Sequence, residues 1–442
     1  MRASLCHGPT RRDTLRLGTA ALFGTPFALP TMLRADAARS NAKSADATSL
    51  IFLFLKGGLS TIDTLDMKPD APAEFRGEFH PIATKVPGIQ VCEHLPKLAG
   101  YTDKFSLIRS FRHHNSDHGP GDHYMLTGYF PTPGFNPNLS PNNQRPAHGS
   151  IVSKVLGPRG SVPAYVALPK MHASGGPAYL GATHAPFVID GDPSAPNFAV
   201  PDLAPPLAVP TDRLADRQNL LAGIDRYQKA AESQANRLPQ AVGVFREKAF
   251  DLMTSPAAKQ AFDISAEPEK LRDEYGRTSL GQSCIMARRL IEAGVRCVTI
   301  DHTNWDTHDG NFTTLKRALL PQLDTTLSTL FRDLSQRGLL DSTLIVVTGE
   351  FGRTPRINKN AGRDHWGPSF TVLLGGGGIQ GGRAIGTSDA RAERPATDPY
   401  GPEDLCATMY SQLGIDPKTE FHAPDGRPMA MVNGGRIIQG LL

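Results

Sequence analysis

Residues 343–355 read TLIVVTGEFGRTP, a run of aliphatic residues between threonines that ends in glycine, glutamate, phenylalanine and arginine. Such a run, without polar alternation, predicts a strand buried on both faces in the middle of a parallel sheet. WDTHDGN (305–311) precedes it and GRDHW (362–366) follows it. Between the first two segments, Leu315, Leu319, Leu323, Leu327, Leu330 and Leu334 mark a long helix with one apolar face. In an open α/β sheet, ligands gather at the carboxyl ends of the strands. Asp306, His308, Glu350 and His365 are therefore expected at one site. Their mixture of carboxylate and imidazole suits a divalent metal, zinc or manganese with calcium also admitted, as one or two ions.

Working outward, SLIFLFLKGG (49–58) predicts a central parallel strand ending in glycines. Further strands are predicted at Phe105 to Arg109, PAYVALP (163–169), VRCVTID (295–301) and SFTVLLGG (369–376). SLGQSCIMARRLIEAG (279–294) patterns as a helix stopped by Gly294. Strand, helix and strand recur, so the expected class is α/β, a mostly parallel central sheet flanked by helices. The polar, helical stretch of about 198–278 reads as a mostly surface insertion within a single domain, 49–442, behind a linker at 38–48.

The 442 residues are 39% hydrophobic, enough for a large core. The formal charge is +4, of which five Arg and two Asp in residues 1–37 account for +3. The near-neutral remainder gives no basis for nucleic-acid binding. Arg11-Arg12-Asp13, a mildly apolar stretch from Leu15 to Leu33, and Ala35-Asp36-Ala37 read as a twin-arginine export signal over 1–37. Gly18, Gly24, Pro26 and Pro30 interrupt the stretch, so no stable membrane span is expected after the signal is removed. The expected location is periplasmic, cell-envelope or secreted. Cys6, Cys92, Cys284, Cys297 and Cys406 form no C-x-x-C pair, and buried free thiols are expected after Cys6.

Residues 110–131, SFRHHNSDHGPGDHYMLTGYFP, read as a loop with four histidines and two aspartates in eleven residues. His118 and His123 are ligand or anion-contact candidates, and Gly119 and Gly121 let backbone approach a site closely. His113, His114, Asp117 and Asp122 are weaker candidates. Asp306 and His308, two apart, face the same way if their loop is extended; the alternative is a hydrogen-bonded loop corner. Glu350 at the end of an apolar strand needs a cation, metal or Arg353. Arg353 is also the candidate anion clamp, unless it forms an internal pair with Glu350 or Asp364. Asp63 and Asp66, beside Ser60, are turn residues or ligands. Gly376 to Gly381 satisfies G-x-G-x-x-G, but no helix pattern follows, so a turn is expected. Cys284-Ile-Met-Ala-Arg288 nearly matches the formylglycine signal of sulfatases; Met286 breaks it within a predicted helix. G-x-S-x-G, H-E-x-x-H and P-loop motifs are absent.

WDTH, RGLLDSTLIVVTGEFGRTP, GRDHW and GGGGIQGG resemble the exported family called domain of unknown function 1501, from LFLKGG to the end of the chain. More distantly, the layout resembles the alkaline phosphatase superfamily, with its sulfatases and phosphodiesterases. That resemblance implies an alkaline-phosphatase-like fold with metal ions at the carboxyl edge of the sheet. TLIVVTGEFG stands where those enzymes have T-x-D-H-G, and His365 stands for their late histidine. DHTNWDTHDGN takes the place of their Asp-x-x-x-His pair. MLTGYFP with HGSI, and DLCATMYSQLGI, match further segments. Two departures stand out: Glu350-Phe351 replaces Asp-His, and Lys56-Gly57-Gly58 lacks the aspartate usual after the first strand. Counting back about nine residues from Thr127, the family's nucleophile position falls on His118, with Ser116 the nearest hydroxyl.

The expected function is an exported metal-dependent hydrolase of phosphate or sulfate esters. Asp306, His308, Glu350, His365 and His123 are its metal candidates, and His118 and Arg353 its catalytic candidates. The expected partner is an anionic small molecule or a polysaccharide ester. The alternative is a non-catalytic envelope protein that keeps the fold and binds a glycan or protein partner.

Overall fold

Ten strands and five helices position the site. The strands are β1 (Ser49–Leu55), β2 (Phe105–Phe111), β3 (Tyr165–Leu168), β4 (Phe187–Val188), β5 (Cys297–His302), β6 (Thr343–Thr348), β7 (Gly352–Arg353), β8 (His365–Trp366), β9 (Phe370–Gly375) and β10 (Ala384–Ile385). The helices are α1 (His118–Thr127), α2 (His148–Leu156), α3 (Ser279–Glu292), α4 (Leu320–Gln336) and α5 (Pro402–Gln412). The computed structural model describes residues 49–200, 255–423 and 425–442. The expected export signal and linker, and most of the segment expected to be a helical insertion, lie outside these residues.

Eight strands form one sheet in the order β10-β2-β9-β6-β1-β5-β3-β4. β1 pairs in parallel with both β5 and β6, and β9 alone runs against its neighbours. The fold is thus α/β with a mostly parallel sheet, as the sequence predicts. β1 explains why its sequence is apolar throughout. Ile51, Leu53 and Leu55 pack with Leu280, Ile285, Leu327 and Leu330 of α3 and α4. Leu50, Phe52 and Phe54 pack on the other face with Met125, Ile151, Leu405 and Tyr410 of α1, α2 and α5. Alternate side chains point to opposite faces and both faces are covered, so all seven residues are buried.

Most expected elements hold. α3 is capped by Thr278, whose hydroxyl accepts from the Gly281 amide at 3.2 Å, and the chain turns at Gly294. The long leucine-marked helix departs from one regular cylinder. It opens at Asn311–Thr314, passes through a π-helical turn at Leu315–Leu319 and continues as α4. Pro321 lacks an amide hydrogen and its ring crowds the preceding turn, which accounts for the wide turn just before it. The segment read as a loop at 110–131 is half helix: α1 starts at His118 and ends at the left-handed Gly128. At the described end of the helical stretch, Phe262 and Tyr275 are buried in the main core.

Cys92, Cys284, Cys297 and Cys406 are buried free thiols. Gly376 and its neighbours form a turn, with no helix after it. Among the described residues, no helix is long and apolar enough to cross a membrane.

Candidate metal centre

Register brings the loops together. Leu55 of β1 lies opposite His302 of β5, and Phe54 lies opposite Thr348 of β6. The residues that follow, 56–58, 303–308 and 349–353, therefore leave the sheet at one edge. Phe111 at the end of β2 pairs with Phe370 at the start of the reversed β9. That pairing delivers His118 from one side and His365 from the other. β8 then pairs antiparallel with β7, His365 opposite Arg353.

Three imidazoles point the same kind of nitrogen at one carboxylate. Asp306 Oδ2 lies 3.2 Å from His118 Nε2. Asp306 Oδ1 lies 3.0 Å from His308 Nε2 and 3.1 Å from His365 Nε2. The His308 and His365 Nε2 atoms are 2.9 Å apart. In each ring the other nitrogen is held. His118 Nδ1 meets Glu350 Oε1 at 2.6 Å, His308 Nδ1 meets Asp364 Oδ1 at 2.7 Å, and His365 Nδ1 meets the Ser116 carbonyl at 2.9 Å. A carbonyl oxygen can only accept, so His365 carries its hydrogen on Nδ1 and leaves Nε2 bare. Burial, with the charges of His118 and Arg353, lowers the His365 pKa and keeps that ring neutral. Its lone pair therefore faces another nitrogen and a carboxylate oxygen, an arrangement that a shared cation relieves.

The donor set fits a metal. Ligating histidines characteristically donate their second N–H to a carboxylate or carbonyl, as all three do here. Bonds of 2.0–2.1 Å to a tetrahedral zinc would place ligand atoms about 3.3 Å apart, close to the separations seen. Ligand atoms of His118, Asp306 and His365 all lie within 4.8 Å of one another, and no other such group occurs among the described residues. The side chains of His118, Asp306, His308 and His365 are 35%, 40%, 41% and 20% exposed, so the centre opens to solvent and a small ligand can reach it.

Buried groups hold this cluster. Glu350 is fully buried, and its two oxygens accept from the Gly57 amide at 2.8 and 3.0 Å. Burial pushes its carboxyl up, His118 opposes that, and the Glu350 hydrogen bond in turn raises the His118 pKa. Gly57 has φ +113°, and a Cβ there would meet the Asp306 amide nitrogen at 2.3 Å, so this close approach requires glycine. Burial works to raise the Asp306 carboxyl, but Arg353, with His365 and His118, holds it at about 2. The Phe351 ring stacks on His365 at 4.5 Å and lies 5.2 Å from His118.

Other expected residues sit elsewhere or act differently. His123 is not brought to the cluster: it is buried, Nδ1 bonds the Tyr129 carbonyl at 2.9 Å and Nε2 accepts from Gln144 N at 3.1 Å. Burial lowers its pKa to about 4. Arg353 is not a free anion clamp. Its buried guanidinium donates to the carbonyls of Gly57, Gly58 and Arg363 and to Asp306. Glu350 stands behind His118 and pairs with neither Arg353 nor solvent. Asp63 is the buried partner of Arg363, with both contacts at 2.7 Å. His113 donates from Nε2 to the Glu350 carbonyl at 2.6 Å. Ser116 contributes its carbonyl to His365, while its hydroxyl accepts from the Gly367 amide at 3.0 Å. Asp364, read only as an Arg353 partner, is the acceptor behind His308; its place beside His365 in GRDHW was the available signal.

Fold and site together define an α/β protein with a histidine–aspartate centre at the carboxyl edge of its sheet. The chain belongs to the family described as protein of unknown function (DUF1501), whose model matches residues 47–442. No curated protein matches it. Among solved structures it is similar to Ps i-CgsB in complex with k-i-k-neocarrahexaose, at 12% identity over 84% of this chain and 72% of that one, TM-score 0.41. It is also similar to the phosphonate monoester hydrolase SpPMH from Silicibacter pomeroyi, at 11% identity over 89% and 76%, TM-score 0.34. A third is the PsFucS1 sulfatase from Pseudoalteromonas sp., at 13% identity over 92% and 72%, TM-score 0.35.

Proposed function

We propose that this protein is a metal-dependent hydrolase of phosphate or sulfate esters that works outside the cytoplasm. The observation that carries the reading is the convergence of the His118, His308 and His365 Nε2 atoms on Asp306, each ring anchored through Nδ1. His118, Asp306, His308 and His365 would hold a divalent ion, zinc or manganese, which would supply Lewis acidity toward an ester oxygen and lower the pKa of a water bound to it. Imidazoles bound through a lone pair would add no negative charge to the ion, and Arg353 offsets the charge of Asp306. Glu350 fixes the His118 tautomer and makes its Nε2 more basic. The same lone pair would serve a nucleophile, so His118 acts as ligand or as nucleophile but not both at once. Phe351 walls one side of the centre and limits the water reaching those rings. The internal engagement of Arg353 favours, as second reading, an envelope protein that binds a glycan or protein partner without turnover.

The test is hydrolysis of 4-nitrophenyl phosphate, sulfate and phenylphosphonate by zinc- or manganese-loaded mature protein. The proposal expects turnover of at least one ester, reduced at least a hundredfold in His365→Ala. A loaded, folded protein that turns over none of them leaves the binding protein as the better reading.

A further inference from the structure

Beyond the metal centre, the same edge of the sheet carries a recess of about 360 Å³ at the ends of β3 and β5. Its walls include Lys170, Asp190, Asp192, Asp301, His302 and Asn304. The volume lies at the lower end of the range for small-molecule sites. Asp301 is 3% exposed, and its Oδ1 has no hydrogen-bond partner. Leaving a buried carboxylate oxygen unmet is costly unless a ligand or water meets it. Among the described residues, the side chains of Lys170, Asp190 and Asn304 also make no hydrogen bond to the protein. Asn304 is held at φ +79° on the loop that leads to Asp306.

The recess mixes donors and acceptors. His302 Nδ1 accepts from the Trp305 indole N–H at 2.9 Å, so its own hydrogen sits on Nε2. Burial holds that ring neutral, with its pKa lowered to about 4. Lys170, His302 and Asn304 can donate, while Asp301, Asp190, Asp192 and Asn304 can accept. Asp192 already uses one oxygen on Ser194. Sugar hydroxyls donate and accept at once, and so match such a lining. A sulfate or phosphate would face three aspartates, and a metal ion would face the Lys170 ammonium. His302 and Asp306 are four positions apart, which limits their Cα spacing to roughly 14 Å.

We infer that this recess is a subsite for an uncharged sugar ring of the same saccharide whose ester reaches the metal centre, an inference that rests on the hydrolase reading. The substrate would then carry esters on some rings and leave others free, and a uniformly sulfated chain would be refused.

The test is calorimetric titration of metal-loaded mature protein with cellohexaose and neoagarohexaose, and with a fully sulfated hexaose as counter-probe. The expected result is binding of an uncharged hexaose, at least tenfold tighter than the sulfated one. Asp301→Asn and Asp190→Ala each weaken it at least tenfold; Asp190 is exposed, so its replacement keeps the test sound if Asp301→Asn misfolds. His365→Ala should lose ester hydrolysis yet keep sugar binding. No binding of either uncharged hexaose, tighter binding of the sulfated one, indifference to both substitutions, or binding of calcium in place of sugar would overturn the inference. Sugar binding without any ester turnover would instead overturn the hydrolase reading.

Discussion

Glu350→Gln separates the anchoring of His118 from the bulk of its surroundings. Glutamine fills the same space in a fully buried position but exchanges one acceptor oxygen for an NH₂ group. In the native protein both carboxylate oxygens accept from Gly57, and one also accepts from His118 Nδ1 at 2.6 Å. The amide must therefore turn a donor toward the Gly57 N–H in one orientation, or toward both the Gly57 N–H and the His118 Nδ1–H in the other. The clash with His118 is relieved if His118 moves its hydrogen to Nε2, the atom 3.2 Å from Asp306. The lone pair offered to a metal is then occupied. Loss of such an outer hydrogen bond weakens metal binding about 10- to 100-fold, or roughly 1.4–2.7 kcal/mol. Competition of the purified variant with a fluorescent zinc chelator measures this directly, with circular dichroism and Tm as controls for folding. A folded variant whose zinc affinity stays within about threefold of wild type would refute the reasoning.

Three further outcomes follow from buried groups. Arg363→Met removes the cation paired with the fully buried Asp63 carboxylate and leaves it Ser60 and Asn311 as donors, so urea denaturation should show a loss of about 3–5 kcal/mol. Asp122 is buried and its carboxyl is pushed up to about 7, from an ordinary 3.8 that the unfolded chain retains. Between those values the native state binds more protons at this group than the unfolded one, so Asp122 subtracts stability as pH rises from about 4 to 7, whereas His123 and His302, lowered to about 4, add it between about 4 and 6.5; Asp122→Asn should therefore make the stability of metal-free protein rise more steeply with pH over that window than in wild type. Burial pushes the thiols of Cys92, Cys284 and Cys297 up to about 12, and that of Cys406 well above its ordinary value. Native protein should leave all four unlabelled by maleimide in intact-mass spectra, and denaturant should expose them; rapid native labelling would contradict the core packing.

The parallel centre of the sheet was legible because burial on both faces leaves an uninterrupted apolar run, as in Ser49–Leu55 and Thr343–Thr348. The convergence of Asp306, His308 and His365 was legible for a related reason: residues just past such strands share one edge. α1 was hidden. Residues 121–127 are all buried, so no polar face gives a helical period, and glycine and proline open the segment. That misreading also placed His123 in the site. On a helix, residues five apart lie about 140° around the axis, so His123 faces away from His118. Arg353 was read as a clamp because sequence does not reveal that main-chain carbonyls of Gly57, Gly58 and Arg363 wait for its guanidinium. Glu350 was read as a ligand for the same reason, since its Gly57 amide donor carries no side-chain signal.

The central claim is that His118, Asp306, His308 and His365 hold a metal ion, and elemental analysis of the purified protein tests it most directly. The account predicts close to one equivalent of zinc or manganese, lost in His365→Ala and in His308→Ala while the fold persists. A folded wild-type protein that carries no metal and takes up none on reconstitution would contradict it.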